Sequence, residues 1–193
     1  MFNKIVKLIG DIAMLWWTNW SNFRYRKMIK FYDAIAEEDK ANSLAAIKLI
    51  ARNIYKKFKY KNDTRADLYD AVVPPTQNYI NYTNGIVEDD CDGFHSTLYY
   101  CLAKSDIECY LLTANALSGG HCILLFNYKN EWYIDDYTTL YGGYAHAKVA
   151  IEGYNKAYEK KYGGKVIYNG LVKYNFTTGS WEVANIKNLD KDE

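Results

Sequence analysis

Apolar side chains recur every three or four positions along the first sixty residues, which is the spacing of amphipathic helices. Two helices are predicted over residues 2 to 17 and 24 to 39. Ser43 is a suitable N-cap for a third helix. The buried stripe of that helix is predicted to contain Ile47, Ile50, Ile54 and Phe58. The segment from Val72 to Gly85 holds two prolines and an Asn-Gly pair, and it is predicted to be a loop.

The pattern changes near residue 90. A helix is predicted to begin at Cys91, with Asp89 or Asp90 as its cap, because apolar residues then recur at helical spacing. From residue 108 onward three strand-like segments follow, "ECYLLTA", "HCILLFN" and "EWYIDDY". A helix over residues 145 to 162 and a terminal β-hairpin complete the chain. Helices followed by an antiparallel sheet predict an α+β domain.

Composition and charge narrow the classes of function. The 193 residues suit one domain, with 1–40 as a helical arm, 41–140 as the core and 141–193 as a helix and hairpin. Lys and Arg (24) balance Asp and Glu (23), so the net charge of +1 gives no basis for nucleic-acid binding. No apolar run reaches the roughly 18 residues of a membrane span. Asp11 interrupts the apolar run at the start, which is therefore not a convincing signal peptide; we expect a protein that is cytoplasmic, or exported by a route that the sequence does not show.

The N-terminal arm combines tryptophans with positive charge. The tryptophans are Trp16, Trp17 and Trp20, and the basic residues are Lys4, Lys7, Arg24, Arg26 and Lys27. Two interpretations stay open. The arm either packs on the domain as an ordinary helix or contacts a membrane surface or a protein partner.

The four cysteines, Cys91, Cys101, Cys109 and Cys122, form no CxxC pair, so a zinc site of the usual spacing is not expected. Most of them are predicted to be core residues. Cys91 differs because it stands at a predicted helix start, where backbone N–H groups and the helix dipole favour a thiolate. The acidic residues Asp89, Asp90 and Asp92 oppose this effect, since nearby negative charge raises the pKa of a thiol.

A nucleophilic cysteine needs a base and a group that orients the base. Of the three histidines, His121 is the preferred base, because it follows Gly119-Gly120 and opens a strand. His95 lies one helical turn after Cys91 and projects sideways from the helix start. His146 lies in a polar helix.

Strand geometry points to Asp136 as the orienting group. If Tyr128 and Lys129 form a two-residue turn, Asn127 pairs with Asn130 and His121 lies directly opposite Asp136. Any loop of even length keeps Asp136 on the same face as His121. A loop of odd length would present Asp135 instead.

The combined pattern "DDCDGFHSTLYYCLAKSDIECYLLTA…GGHCILLF…EWYIDDYT" resembles the core of the transglutaminase-like cysteine protease superfamily, whose fold is papain-like. The resemblance covers residues 87 to 140 and is closest to the bacterial peptidase branch. It implies Cys91 as nucleophile, His121 as general base and Asp136 as orienting residue, with Trp132 and Thr138 flanking the aspartate. The sequence departs from the family pattern at Phe94-His95 and at Cys122.

The resemblance implies acyl transfer through an acyl-enzyme, with a peptidase or amidase acting on a protein or peptide substrate as the preferred activity. Crosslinking of amines to glutamine side chains and a non-catalytic binding or structural module remain alternatives. The Cys91 backbone N–H would be one oxyanion donor. A second donor is expected from the preceding loop, where the candidates are Asn84, Asn81, Asn78 and Gln77.

The acidic run around Cys91 is also a candidate calcium site, because hard cations bind carboxylates. Its residues are Asp89, Asp90 and Asp92, and some bacterial members of the family that the sequence resembles depend on calcium. Their spacing differs from that of an EF-hand loop. No other cofactor is expected.

Overall fold

The computed structural model describes residues 41–61, 82–83, 86–117, 119–178 and 180–190. The predicted helices over 2 to 17 and 24 to 39, together with the tryptophan-rich arm, lie outside the described residues. The division of the chain into an arm, a core and a C-terminal unit therefore stays a prediction.

The described chain has three α-helices and nine strands, and it is α+β, as the order of elements predicted. The helices are α1 (Leu44–Lys56), α2 (Cys91–Ala103) and α3 (Ala147–Tyr162). The strands are β1 (Phe58–Tyr60), β2 (Tyr82–Thr83), β3 (Ile86–Asp89), β4 (Cys109–Ala116), β5 (Gly119–Tyr128), β6 (Glu131–Asp136), β7 (Thr139–Tyr144), β8 (Val166–Asn175) and β9 (Ser180–Val183). A short 3₁₀ helix, Ile186–Asn188, follows β9.

Helix α1 begins where its cap predicts. The Ser43 side chain accepts a hydrogen bond from the Ala46 N–H at 3.1 Å. The predicted stripe is correct for the three isoleucines, but Phe58 does not belong to the helix. The helix ends at Lys56, and Phe58 begins β1, whose backbone pairs in parallel with β3. The Phe58 ring packs edge-on against Phe94 of α2 at 5.6 Å, so tertiary contacts outweigh the helical period there.

Part of the predicted loop from Val72 to Gly85 is a strand. Residues 82 and 83 form β2, which pairs antiparallel with β3. Together with β1 they make a three-stranded sheet in the order β1-β3-β2. This small sheet leads directly into α2, because β3 ends at Asp89 and the helix begins two residues later.

The main sheet has six antiparallel strands in the order β7-β6-β5-β4-β8-β9. Helices α1 and α2 cover one face, where Phe94, Leu98 and Leu102 of α2 pack against Leu124 and Phe126 of β5. Helix α3 covers the other face over β6 and β7. Residues 91 to 102 of α2 are all buried, so the helix is enclosed on every side and not only along its predicted apolar stripe.

The C-terminal hairpin, β8 and β9, is part of this sheet. Strand β8 pairs with β4 over most of its length, and Trp181 of β9 is buried against Tyr99 of α2. The hairpin that the sequence predicts is confirmed, and it forms one edge of the sheet. No helix within the described ranges is long and apolar enough to cross a membrane.

Candidate active site

Cys91 is the first residue of α2, as its sequence position predicts. The Asp90 side chain caps the helix by accepting from the Asp92 N–H at 3.3 Å. The Cys91 sulfur accepts a hydrogen bond from the Cys122 N–H, also at 3.3 Å. Cys122 follows His121 directly, so this contact places the sulfur beside the strand that carries the histidine. Cys91 is only 5% exposed.

His121 and Asp136 are in direct contact. The His121 Nε2 atom lies 2.8 Å from Asp136 Oδ1. With Nε2–H donating to the carboxylate, Nδ1 is the ring nitrogen left to exchange a proton. Both residues lie on the face of the sheet that α3 covers.

The predicted turn between β5 and β6 is wrong by one residue on each strand. Lys129 and Asn130 form the turn, with φ of 54° and 62°, and Tyr128 pairs with Glu131. Two positive φ values suit the twist of a hairpin, and asparagine tolerates this conformation well. On this register His121 faces Asp136 diagonally. The loop still has an even length, so both side chains keep the same face, as the alternation rule required.

Asp136 has a second partner that the sequence reasoning missed. The Tyr154 hydroxyl, on α3, donates to Asp136 Oδ2 at 3.2 Å. Burial raises the pKa of the Asp136 carboxyl, but the hydrogen bond and the charge of His121 outweigh burial, and the pKa lies below its ordinary value. The carboxylate is therefore held ionised and in one orientation.

Helix α3 brings a row of tyrosines to the site. Tyr154, Tyr158 and Tyr162 recur at intervals of four, which places them on one helical face. The Tyr158 ring stacks on the His121 ring with centroids 6.4 Å apart and an angle of 21°. The four-residue spacing was visible in the sequence, but nothing in the sequence pairs that face with His121.

His95 and Asp135 lie on the opposite face of the sheet from His121. The His95 Nδ1 atom is 2.6 Å from the Cys91 carbonyl oxygen, and His95 Nε2 accepts from the Tyr137 N–H at 3.0 Å. Burial, followed by the charge of His121, lowers the pKa of His95 to about 3. Asp135 is 1% exposed, its Oδ1 is 4.0 Å from His95 Nε2, and burial raises its pKa well above the ordinary value.

The three acidic residues around Cys91 are buried together. Oxygen atoms of Asp89, Asp90 and Asp92 all lie within 4.8 Å of one another. Asp89 Oδ1 also accepts from the Asp90 N–H at 3.0 Å. The structure thus brings together the carboxylates that the sequence singled out and sets them beside the nucleophile candidate.

A cavity of about 600 Å³ opens beside His121. His121 and Asp136 line it, while Cys91 is not among the described residues that do. Its aromatic walls come from α1, β1, the turn after β6, β7 and α3. These side chains are Tyr55, Phe58, Tyr60, Tyr137, Tyr141, Tyr158 and Tyr162.

The structure does not place the other candidates from the sequence beside Cys91, His121 and Asp136. His146 is the residue before α3 and is not inside a helix, and its Nδ1 lies 4.0 Å from Asp190. Cys101 and Cys109 are buried core residues, and burial raises the pKa of Cys101 to about 12. The oxyanion candidates Asn84, Asn81, Asn78 and Gln77 lie outside the residues that the structure describes.

Comparison with known proteins gives distant structural likenesses. No protein-family model and no curated protein matches the chain. It is similar to EGTA-treated LapG of Legionella pneumophila, with 18% identity over 85% of this chain and 83% of that chain, at a TM-score of 0.45. Calcium-bound LapG of the same organism has 17% identity over 62% of this chain and 69% of that chain, at a TM-score of 0.44. Likeness of this degree carries no argument about function, so the roles of the site residues rest on their geometry.

Proposed function

We propose that the protein is a cysteine-dependent acyl-transfer enzyme of the transglutaminase-like superfamily that its sequence resembles, with a papain-like arrangement of its site. Cys91 would be the nucleophile, His121 the general base and Asp136 the orienting residue. The main support is the convergence of three elements. The Cys91 sulfur contacts the backbone next to His121, and His121 in turn binds Asp136 at 2.8 Å.

The arrangement supports a proton transfer from sulfur to imidazole. His121 Nδ1 takes the thiol proton while Nε2–H stays bonded to Asp136, so the imidazolium that forms is paired with a carboxylate. The thiolate then attacks an amide or ester carbonyl carbon, and the carbonyl electron pair moves onto oxygen. The Cys91 backbone N–H, beside the reacting sulfur at the start of α2, is the proposed donor to that oxyanion.

Collapse of the tetrahedral intermediate breaks the bond to the leaving group, which takes the proton back from His121 Nδ1. The acyl group remains on the Cys91 sulfur as a thioester. His121 then removes a proton from water, and attack by that water releases the acid and regenerates the thiol. Attack by an amine at the same step would give crosslinking. We propose hydrolysis of a peptide or amide substrate, because the mechanism then requires no second substrate.

We also propose calcium as a ligand of the carboxylates beside Cys91. The three buried side chains of Asp89, Asp90 and Asp92 supply oxygen donors close together, which fits a hard divalent cation. The ion would neutralise the negative charge that otherwise disfavours a thiolate at Cys91. A calorimetric titration with calcium, repeated on Asp92→Asn, measures this directly. Equal heats in both proteins would remove calcium from the proposal.

The cysteine reaction is tested by the rate at which iodoacetamide alkylates each cysteine between pH 5 and 9, read by peptide mass spectrometry. Cys91 is expected to react fastest and to stay reactive below pH about 8.5, the ordinary pKa of a thiol. His121→Ala should remove this reactivity. His146→Ala is the matched control, because it removes a histidine that lies beside Asp190 and does not line the cavity, and it should change nothing.

If Cys91 is as inert as Cys101, or if His121→Ala leaves its rate unchanged, the enzyme proposal is wrong. The chain would then be treated as a binding module. If the pair is reactive, incubation with a peptide library and mass analysis of the products distinguishes hydrolysis from amine transfer. Hydrolysis of a peptide gives two fragments whose masses together exceed the substrate by one water, whereas transfer to an amine gives a product that has gained the amine and lost the leaving group, which is ammonia for a glutamine side chain.

A further inference from the structure

His95 is a fully buried imidazole that the proposed reaction does not use. It lies on α2 four residues after Cys91 and has no exposed surface. Its Nδ1 is 2.6 Å from the carbonyl oxygen of Cys91, and its Nε2 accepts the Tyr137 N–H at 3.0 Å. One contact is local to the helix, while the other reaches the turn that follows Asp136.

These two contacts determine the tautomer of His95. A carbonyl oxygen can only accept, so Nδ1 must carry the hydrogen. A backbone N–H can only donate, so Nε2 must be bare. Both ring nitrogens are therefore engaged with backbone groups in the neutral form. A ring bound in this way does not shuttle protons.

The partner on the far side of His95 is a strained residue. Tyr137 has a φ of 61° and follows Asp136, which pairs with Thr139 across a two-residue turn. Glycine is usual at such a position, so a bulky residue there strains the backbone. The Tyr137 ring packs against the rings of Phe94 and His95 at 5.0 and 5.1 Å. The hydrogen bond to His95 and this packing hold the turn in place.

We propose that His95 is a positioning residue that joins α2 to the Tyr137 N–H, while its bond to the Cys91 carbonyl sets the tautomer of the ring. This inference rests on the proposed function. The connection fixes the start of α2, which carries the nucleophile, relative to the end of β6, which carries the carboxylate that orients His121. The Cys122 N–H, which donates to the Cys91 sulfur, separately joins the start of α2 to β5, the strand that carries His121.

Two amide substitutions separate the contacts of the ring. In His95→Gln the side-chain oxygen reaches the position of Nε2 and can accept the Tyr137 N–H, but the contact to Cys91 is lost. In His95→Asn the amide N–H lies near the position of Nδ1 and can donate to the Cys91 carbonyl, but nothing reaches Tyr137. Both replacements are neutral amides, so they differ mainly in which element they join.

The readout is the alkylation rate of Cys91 across pH 5 to 9, together with the melting temperature of each variant. His95→Gln should stay within about fivefold of the unmodified protein, the equivalent of one ordinary hydrogen bond. His95→Asn should be slower by roughly 10- to 100-fold, the scale of a small misplacement of reacting groups. A merely structural role predicts instead that the rates follow the melting temperatures. Equal rates in the two variants, or rates that follow stability, would overturn the proposal.

Nitrogen NMR of the His95 ring tests the same arrangement without any substitution. The spectrum should show a neutral ring with hydrogen on Nδ1 and no titration between pH 5 and 8. A hydrogen on Nε2, or a titration in that range, contradicts the proposal even if one variant fails to fold. His121→Ala separates the two levels of inference. If it lowers Cys91 reactivity while His95→Asn does not, the positioning role fails alone; if it has no effect, the proposed function fails and the positioning role with it.

Discussion

Replacing Asp135 with asparagine should expose a pH dependence of stability that comes from His95. In the native protein the opposite titration of Asp135 conceals it. His95 is neutral when folded, with a pKa lowered to about 3 by burial. An unfolded histidine has a pKa of about 6.5. Between these values the unfolded chain binds a proton that the folded chain does not, so stability is complete above pH about 6.5 and is lost as the pH falls.

Asp135 acts with the opposite sign. Burial raises the pKa of its carboxyl well above the ordinary value, so the folded protein keeps a proton that the unfolded chain releases. That contribution is present at low pH and is lost as the pH rises above the unfolded value, about 3.9. In the native protein the two trends oppose each other between pH 4 and 6.5. Asparagine has the shape of the protonated acid and does not titrate, so Asp135→Asn leaves the histidine trend alone.

The size of the trend follows from the pKa of His95. Each unit of pKa difference is worth about 1.4 kcal/mol, so acidification from pH 7 to 5 should cost Asp135→Asn about 2 kcal/mol of unfolding free energy through His95. Urea unfolding at several pH values measures this quantity. The double variant Asp135→Asn/His95→Gln is the control, because all other titrating groups are common to both proteins. If the unfolding free energies of the two variants depend on pH equally, the conclusion that His95 is buried and neutral is wrong.

Three further outcomes are expected. Tyr154→Phe removes the hydroxyl that donates to Asp136. It should slow alkylation of Cys91 by roughly fivefold, the equivalent of one hydrogen bond, with a normal melting temperature; an unchanged rate would exclude a role for this contact. Gly142→Ala should lower the unfolding free energy by about 1–3 kcal/mol, because its new Cβ would clash with the Tyr133 ring, and a neutral effect in urea would contradict the pairing of β6 with β7. Cys101, whose pKa burial raises to about 12, should remain unalkylated in the folded protein at pH 9 and react only in urea.

Local signals predicted most of the described elements. Ser43 and the run after Asp90 mark helix starts by chemistry that acts within one turn, and both helices begin there. Strand alternation placed His121 and Asp136 on one face, and the structure brings these residues together. The roles proposed for them remain predictions that the alkylation experiment tests.

What the sequence could not supply depends on contacts between distant elements. The turn between β5 and β6 lies one residue later than predicted. Lys129 and Asn130 form it, and not Tyr128 and Lys129, because their backbone conformation suits the twist of the hairpin. Phe58 left its helical stripe to pack on Phe94, a residue 36 positions later in the chain. The approach of Tyr154 to Asp136 follows from the way α3 crosses β6, which no local pattern encodes.

The place of β8 in the main sheet has a consequence for how the protein is made. Strand β4 lies at the centre of the sheet, and β8 pairs with one of its edges. The Gly170 N–H donates to the Thr113 hydroxyl, and these two residues are 57 positions apart in the chain. During synthesis at about 5–20 residues per second, that edge of β4 would wait roughly 3–10 seconds for its partner. An open, apolar strand edge is prone to pair with other chains. The nascent protein is therefore expected to be most liable to aggregation in the interval before β8 leaves the ribosome, and a chain stopped before residue 166 should be captured by chaperones in a ribosome-release assay.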